Sequence, residues 1–150
     1  MFEILDRGKK DRIIDLVSEY GIEKLNQLII QTGKERFRIF SGNISKNELI
    51  KLSDLVKIEG VGLYFGTEVD GKIRLGIDAC HLLKDKINKN VVEISDEKAE
   101  EWFGGREISN EGIKERGFVI IKNKNDLLGS GKIGEERILN FLPKERRIRQ

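Results

Sequence analysis

Gly129, Gly131 and Gly134 spell G-x-G-x-x-G within "LLGSGKIGEERILNFLPKERRIRQ", and only sixteen residues follow the third glycine. That shortness restricts what the glycines can be. A dinucleotide-binding turn needs a strand before the glycines and a helix opening at them. It also needs a second strand beyond, with an acidic residue about 20 positions on. Pro143 and a basic tail occupy the space those elements would need. A P-loop also fails, because Lys132 is followed by Ile133 instead of Ser or Thr. The remaining reading is a glycine-rich strand in a small barrel, where glycine permits a bulge, a sharp bend or the close approach of another backbone. No nucleotide cofactor is expected there, and no cofactor of any other kind.

The residues upstream supply the other elements. Ile13, Ile14, Val17 and Tyr20 recur at helical spacing over Lys10 to Tyr20, and Gly21 is placed to end that helix. "LNQLIIQTGKERFRIFSG" reads as two strands around Thr32–Glu35, with Arg36 and Arg38 alternating with Phe37 and Ile39. Ser45 and Glu48 form a capping box that opens a helix running to about Val56. Asp70-Gly71 is a two-residue hairpin turn between "VGLYFGTEV" and "KIRLGI". Asp78 is expected to cap a short helix over Ala79 to Leu83. The polar segment Asp85–Asn90 reads as a linker. Beyond it come a strand at "VVEI", a short helix capped by Ser95, and strands at "GGREI", "GFVIIKN", "LLGSGKI" and "RILNFL". The expected fold class is α+β: a small N-terminal α/β subdomain over residues 1–88 and a mixed β barrel over 89–150.

Composition bounds the partners. Charged residues make up 36% of the chain, against roughly 25% in an average soluble protein. The Lys/Glu-rich profile with a single proline is of the kind seen in hyperthermophile, archaeal-like proteins. Net charge is only +2, so polyanion binding requires a local patch rather than a global field. One cysteine, Cys80, excludes an internal disulfide and suits a reducing compartment. No apolar run approaches the ~20 residues of a membrane span, and "MFEILDRGKKDR" is too charged for a signal peptide. A cytoplasmic location without membrane contact is expected.

The segment "VVEISDEKAEEWFGGREISNEGI…GFVIIKNKNDLLGSGKI" resembles a PUA domain, the RNA-binding barrel named after pseudouridine synthases and archaeosine transglycosylases. The resemblance rests on Gly105-Arg106-Glu107-Ile108, Gly112-Ile113, the apolar strand Phe118–Ile121, and Gly129–Lys132. Upstream, "VGLYFGTEVDGKIRLGIDACHLL" is similar to the segment that precedes the PUA domain in the NIP-seven ribosome-biogenesis family. The tail "ILNFLPKERR" resembles the ending of the PUA-like domain at the C-terminus of RsmF-type rRNA 5-methylcytosine methyltransferases, with Glu145 where that ending has glycine. Two families therefore stand open, and both imply an RNA-binding module working in a ribosomal context.

The PUA resemblance implies that RNA lies along the helix, the loop after it and the last strands. It places Arg106 in that loop, with Gly104, Gly105 and Gly112 allowing an RNA backbone to come close. Lys132, Arg137, Lys144, Arg146, Arg147 and Arg149 continue the basic run. From Lys132 to the end there are six Lys/Arg against three Glu. These cations are expected to gather on one continuous surface. The helix surface of Glu93, Asp96, Glu97, Glu100 and Glu101 must stand aside from it, since it repels phosphate. Arg106 can instead pair with that acidic helix. Trp102 and Phe103 read as core rather than as a stacking platform.

Catalysis finds little support. His81 is the only histidine, and adjacent residues on a helix point about 100° apart, so Cys80 and His81 do not make a dyad. One Cys and one His leave a metal site short of ligands. The tail-associated methyltransferases use a Pro-Cys pair and a cofactor-binding turn, and this chain has neither. The expectation is a non-enzymatic RNA-binding protein acting in rRNA processing or ribosome assembly, with a protein partner docked on the N-terminal subdomain. The alternative is a protein-interaction adaptor, or an accessory subunit of an RNA-modifying enzyme, with little RNA binding of its own. It is kept open by the balance of twelve Lys/Arg and twelve Asp/Glu over the last sixty residues.

Overall fold

The structure, a computed structural model, describes residues 2–55 and 61–148. Among these residues ten strands form two sheets. The first contains β1 (Glu3–Ile4), β2 (Leu28–Gln31), β3 (Arg36–Phe40), β4 (Leu63–Val69) and β5 (Lys72–Leu75), antiparallel and in chain order. The second contains β6 (Val91–Glu93), β7 (Ile108–Ser109), β8 (Gly117–Asn123), β9 (Asp126–Ile133) and β10 (Arg137–Asn140), in the order β6-β8-β9-β10-β7. Only the β6–β8 pair is parallel, so this sheet is mixed, as the sequence leads one to expect. Among the described residues four α-helices accompany the sheets: α1 (Arg7–Val17), α2 (Lys46–Leu55), α3 (Ile77–Leu82) and α4 (Asp96–Phe103).

Local chemistry sets most of the boundaries. Asp70 and Gly71 both take positive φ, 51° and 74°, which gives the β4–β5 hairpin the twist its strands need. The capping box of α2 is reciprocal: Ser45 N donates to Glu48 Oε2 at 2.9 Å, and Glu48 N donates to Ser45 Oγ at 3.2 Å. Val56 lies outside the described residues. Helix α1 starts earlier than its apolar spacing indicates, because Asp6 Oδ1 accepts from Lys9 N at 2.9 Å and caps it. A 3₁₀ turn, Ser18–Tyr20, and left-handed Gly21 end it. The expected Asp78 cap is not made. Helix α3 opens from Gly76, and Asp78 sits in its first turn, turned toward Arg146.

The segment expected to be a linker is tied down instead. Asn88 N and Lys89 N donate to Tyr20 O at 2.9 and 3.2 Å, and Asn90 Nδ2 donates to Glu19 O at 2.6 Å. These donors satisfy carbonyls left over where the first helix ends. Ile87 is buried in the core beside them. That core takes Ile13, Val17 and Tyr20 from the first helical turns, Phe37 and Phe65 from the first sheet, and Phe118, Ile120 and Leu127 from the second. It therefore crosses residue 88. The other face of the second sheet packs Ile121, Leu128 and Ile138 against Trp102 of α4. The chain divides by sheet at this point, but one core is shared.

The glycine pattern now has its physical reason. Gly129 holds φ +94°, a conformation that L side chains rarely adopt. A Cβ on Gly131 would lie 2.8 Å from Ile138 Cγ2, 3.0 Å from Leu139 O and 3.0 Å from the Trp102 ring. A Cβ on Gly134 would lie 2.8 Å from Arg137 O. Close approach of β10 and of one indole excludes a side chain at Gly131, and close approach of β10 excludes one at Gly134.

Cys80 is fully buried, and burial pushes its thiol up to about 12. The neighbouring ring points elsewhere: His81 Nε2 donates to Leu127 O at 2.9 Å. A thiol so placed stays protonated near neutrality and unreactive. Folded protein at pH 8 should leave a chromogenic disulfide reagent unreduced, and urea should release one full equivalent of reactivity. Rapid labelling before unfolding would contradict this packing.

Candidate nucleic-acid interface

Helix α4 carries the acidic surface that the sequence indicates. Asp96, Glu97, Glu100 and Glu101 are exposed. Asn123 donates to Asp96 at 3.0 Å and Lys124 pairs with it at 3.1 Å, which together hold its carboxyl below the usual range. Lys98 pairs with Glu111 at 2.8 Å and does the same there. Trp102 faces inward with no exposure, and its Nε1 donates to Leu128 O at 2.8 Å. Phe103 is half-buried against the same core. Neither ring forms a stacking platform.

At the C-terminal end of α4 the chain turns through Gly104 and Gly105. Gly105 N donates to Trp102 O, and Arg106 N donates to Glu101 O at 3.1 Å. Gly105 takes φ +83°, and the space over its Cα is filled by the chain itself. A Cβ there would lie 2.5 Å from Arg147 Cδ and 2.6 Å from Arg147 Nε. Arg147 Nε donates to Leu142 O at 3.0 Å, and Ile148 N donates to Phe103 O at 2.7 Å, so the tail is fastened across the turn. Gly112 is open, with nothing within 4 Å of a Cβ. Arg106 is exposed beside Gly104. Among the described residues no carboxylate lies within ion-pair distance of it, so the acidic helix does not claim it. Gly105→Ala should cost roughly 1–3 kcal/mol through its left-handed backbone alone and should displace Arg147. Urea unfolding measures the loss, and an unchanged midpoint would refute the contact.

A second group of cations lies on β9 and β10. Lys132 pairs in register with Phe118 on one side and Leu139 on the other. Its Nζ stands 5.7 Å over the Phe118 ring. Phe118 meets Phe141 edge-to-face with centroids 5.9 Å apart, and the Arg74 guanidinium lies 4.4 Å over Phe141. The result is a row of cation, ring, ring and cation that crosses from the second sheet to β5 of the first. Arg137 is exposed two residues from Leu139 on the same strand face. Arg74 is absent from the residues the sequence singled out. Its alternation with Ile73 and Leu75 turns it outward, but the arrival of Phe141 beside it is a tertiary fact.

The tail splits the remaining cations. Lys144–Arg146 form a 3₁₀ turn, after which Arg147 is extended, so successive side chains diverge. Arg146 pairs with Asp78 of α3 at 2.8 Å, while Arg147 goes to the α4 turn. Lys144 is exposed, and Glu145 lies beside it. Arg149 lies outside the described residues. The basic tail therefore does not supply its cations to one place, as expected: Arg147 lies at the α4 turn with Arg106, whereas Arg146 lies at Asp78 on the side of Arg74, which the aromatic row joins to Lys132 and Arg137.

Residues 89–148 match the family model described as the methyltransferase RsmF PUA domain. Over those residues the chain resembles the PUA domain of RsmF. Ribosomal RNA small subunit methyltransferase F of Vibrio atlanticus is 41% identical over 56 residues, which is 37% of this chain and 12% of that relative. The enzyme of the same description from Psychromonas ingrahamii is 26% identical over 133 residues, 85% of this chain and 26% of the relative. The chain thus spans a small part of the length of the relatives it matches. Among solved structures, a conserved PUA domain protein from Thermoplasma acidophilum superposes with a TM-score of 0.61 at 12% identity, over 97% of this chain and 96% of that one. A hypothetical protein from Pyrococcus horikoshii gives 0.58 at 13% identity, with 93% of each chain covered. The likeness to these two covers both sheets, so the fold they share includes the segment before the PUA domain. Among the described residues no helix is long and apolar enough to cross a membrane, and no group of three His, Cys, Asp or Glu is placed to hold a metal ion.

Proposed function

We propose that this protein binds structured ribosomal RNA through its PUA domain, without chemistry of its own, during rRNA processing or ribosome assembly. PUA domains are generally RNA-binding, and the matched relatives are named for ribosomal RNA. The observation that carries the reading is the row from Lys132 through Phe118 and Phe141 to Arg74, with Arg137 beside it. Guanidinium and ammonium groups hold phosphate, and the faces of ordered rings support them. The N-terminal sheet and its helices would then serve a protein partner, and the cytoplasm is where such a complex would form.

Fluorescence anisotropy on small-subunit rRNA fragments tests this. The association constant should fall linearly with salt on logarithmic axes, by about 0.7–0.9 for every phosphate contacted. Absence of binding at low salt would refute the reading. The acidic α4 surface and the balanced charge of the last sixty residues favour the adaptor as second reading. Crosslinking in cells separates the two: recovery of rRNA supports the first, and recovery of protein alone supports the second.

A further inference from the structure

Three arginines from separate elements line one groove of about 490 Å³ between the first sheet and the tail: Arg36 of β3, Arg74 of β5 and Arg146. Arg36 and Arg74 flank Thr67 in register from opposite sides, so a cation–hydroxyl–cation row crosses three strands. Simple alternation would send Tyr64 to the core. The register shift opposite Phe37/Arg38 leaves Phe65 as the extra residue of β4, and Phe65 takes the core position. Tyr64 consequently joins Thr67 on the groove face, and their hydroxyls are hydrogen-bonded.

Two of the three guanidiniums are positioned before any ligand arrives. Arg146 is held by Asp78 at 2.8 Å, and Arg74 by the Phe141 ring at 4.4 Å. Charge defines what fits. Three arginines against Asp78 and Glu145 leave the lining at a net +1. An internal phosphodiester carries one negative charge, whereas a phosphate monoester carries about 1.5 to 2 at neutral pH. The volume falls within the roughly 300–1,000 Å³ of small-ligand sites, and the Tyr64 ring offers a face for a base to stack on. Arg74 belongs both to this groove and to the cation–ring row of the PUA domain, so the two surfaces are continuous.

We propose that the groove seats one phosphodiester-linked nucleotide of a single-stranded RNA segment leaving the structure that the PUA domain holds. This rests on the reading that the PUA domain binds RNA. The strand's phosphate would lie between Arg36 and Arg74, with its base against Tyr64.

The test uses the whole chain and three labelled RNAs: a bare stem-loop, the same stem-loop with uridine extensions at both ends, and hexauridine alone. The extensions should tighten binding by about tenfold, the worth of one or two charge-assisted contacts. Arg36→Gln, at an exposed strand position, should abolish that gain and leave bare stem-loop affinity within twofold. Arg36→Glu provides the same comparison with the charge reversed. An equal gain in variant and wild type, or no gain in wild type, overturns the proposal. If the bare stem-loop is not bound, the PUA reading fails by itself. Hexauridine then still decides the groove, since its binding must be lost in Arg36→Glu. Displacement by uridine monophosphate without any binding of hexauridine would mark a free-nucleotide site and would also overturn it.

Discussion

Trp102→Ala should lower the unfolding free energy by about 3–5 kcal/mol, a large fraction of the ~5–15 kcal/mol that holds an ordinary domain together. The indole is fully buried and is the chain's only tryptophan. Its removal empties the space between α4 and the second sheet, and the sheet, fixed by its ladder, can close that space only in part. It also leaves Leu128 O without the donor it has at 2.8 Å. The reciprocal change overfills the same place. Gly131→Ala would press a methyl against Ile138 at 2.8 Å and the indole at 3.0 Å, for a loss of about 1–3 kcal/mol. Because both act on one contact, the pair should be non-additive. Gly131→Ala should cost less when Trp102 is already alanine, down to the part owed to Leu139 O. Far-UV circular dichroism in urea reads all three variants. A loss below about 1 kcal/mol for Trp102→Ala would mean that α4 is not packed as described.

This coupling shows what the sequence could and could not disclose. The Ser45–Glu48 capping box, the Asp70-Gly71 turn and alternating strands are local, and their chemistry is complete within a few residues. They appear in the structure where the sequence indicates. The glycines at 129 and 131 are legible as a strand by exclusion, but what presses on Gly131, Trp102 and β10, comes from elsewhere in the chain. Polar Asp85–Asn90 reads as a linker because its partners, Tyr20 O and Glu19 O, lie some seventy residues upstream. Asp78 reads as a cap because nothing near it reveals Arg146. The candidate site follows the same rule. Alternation turns Arg36, Arg74, Lys132 and Arg137 outward, yet which of them share a surface depends on how β5 crosses the second sheet. There Ser130 Oγ donates to Leu75 O at 2.6 Å. Counting cations along the tail suggested one patch, and the 3₁₀ turn at Lys144–Arg146 undoes it.

Arg106→Glu, Lys132→Glu and Arg137→Glu together should weaken rRNA binding by about a hundredfold at low salt, near 1 kcal/mol for each contact surrendered. The logarithmic salt slope should shrink by about two. These three are the right residues because each is exposed and each can be reversed without breaking an ion pair among the described residues. Arg146 and Arg147 are poorer choices despite lying in the basic tail. Reversing Arg146 places a second carboxylate against Asp78, and reversing Arg147 removes the donor to Leu142 O and the packing over Gly105. A loss of binding in those variants would confound folding with recognition. The opposite control lies on α4. Glu97→Lys with Glu100→Lys removes two exposed negative charges, and binding should hold or tighten if that helix borders the RNA without touching it. Unfolding midpoints should be unchanged across the set. If the triple reversal binds rRNA as the parent does, with the same salt slope, the β9–β10 face is not where RNA lies. If only the α4 variant loses affinity, the acidic helix itself is the recognition surface and a protein partner becomes the better reading.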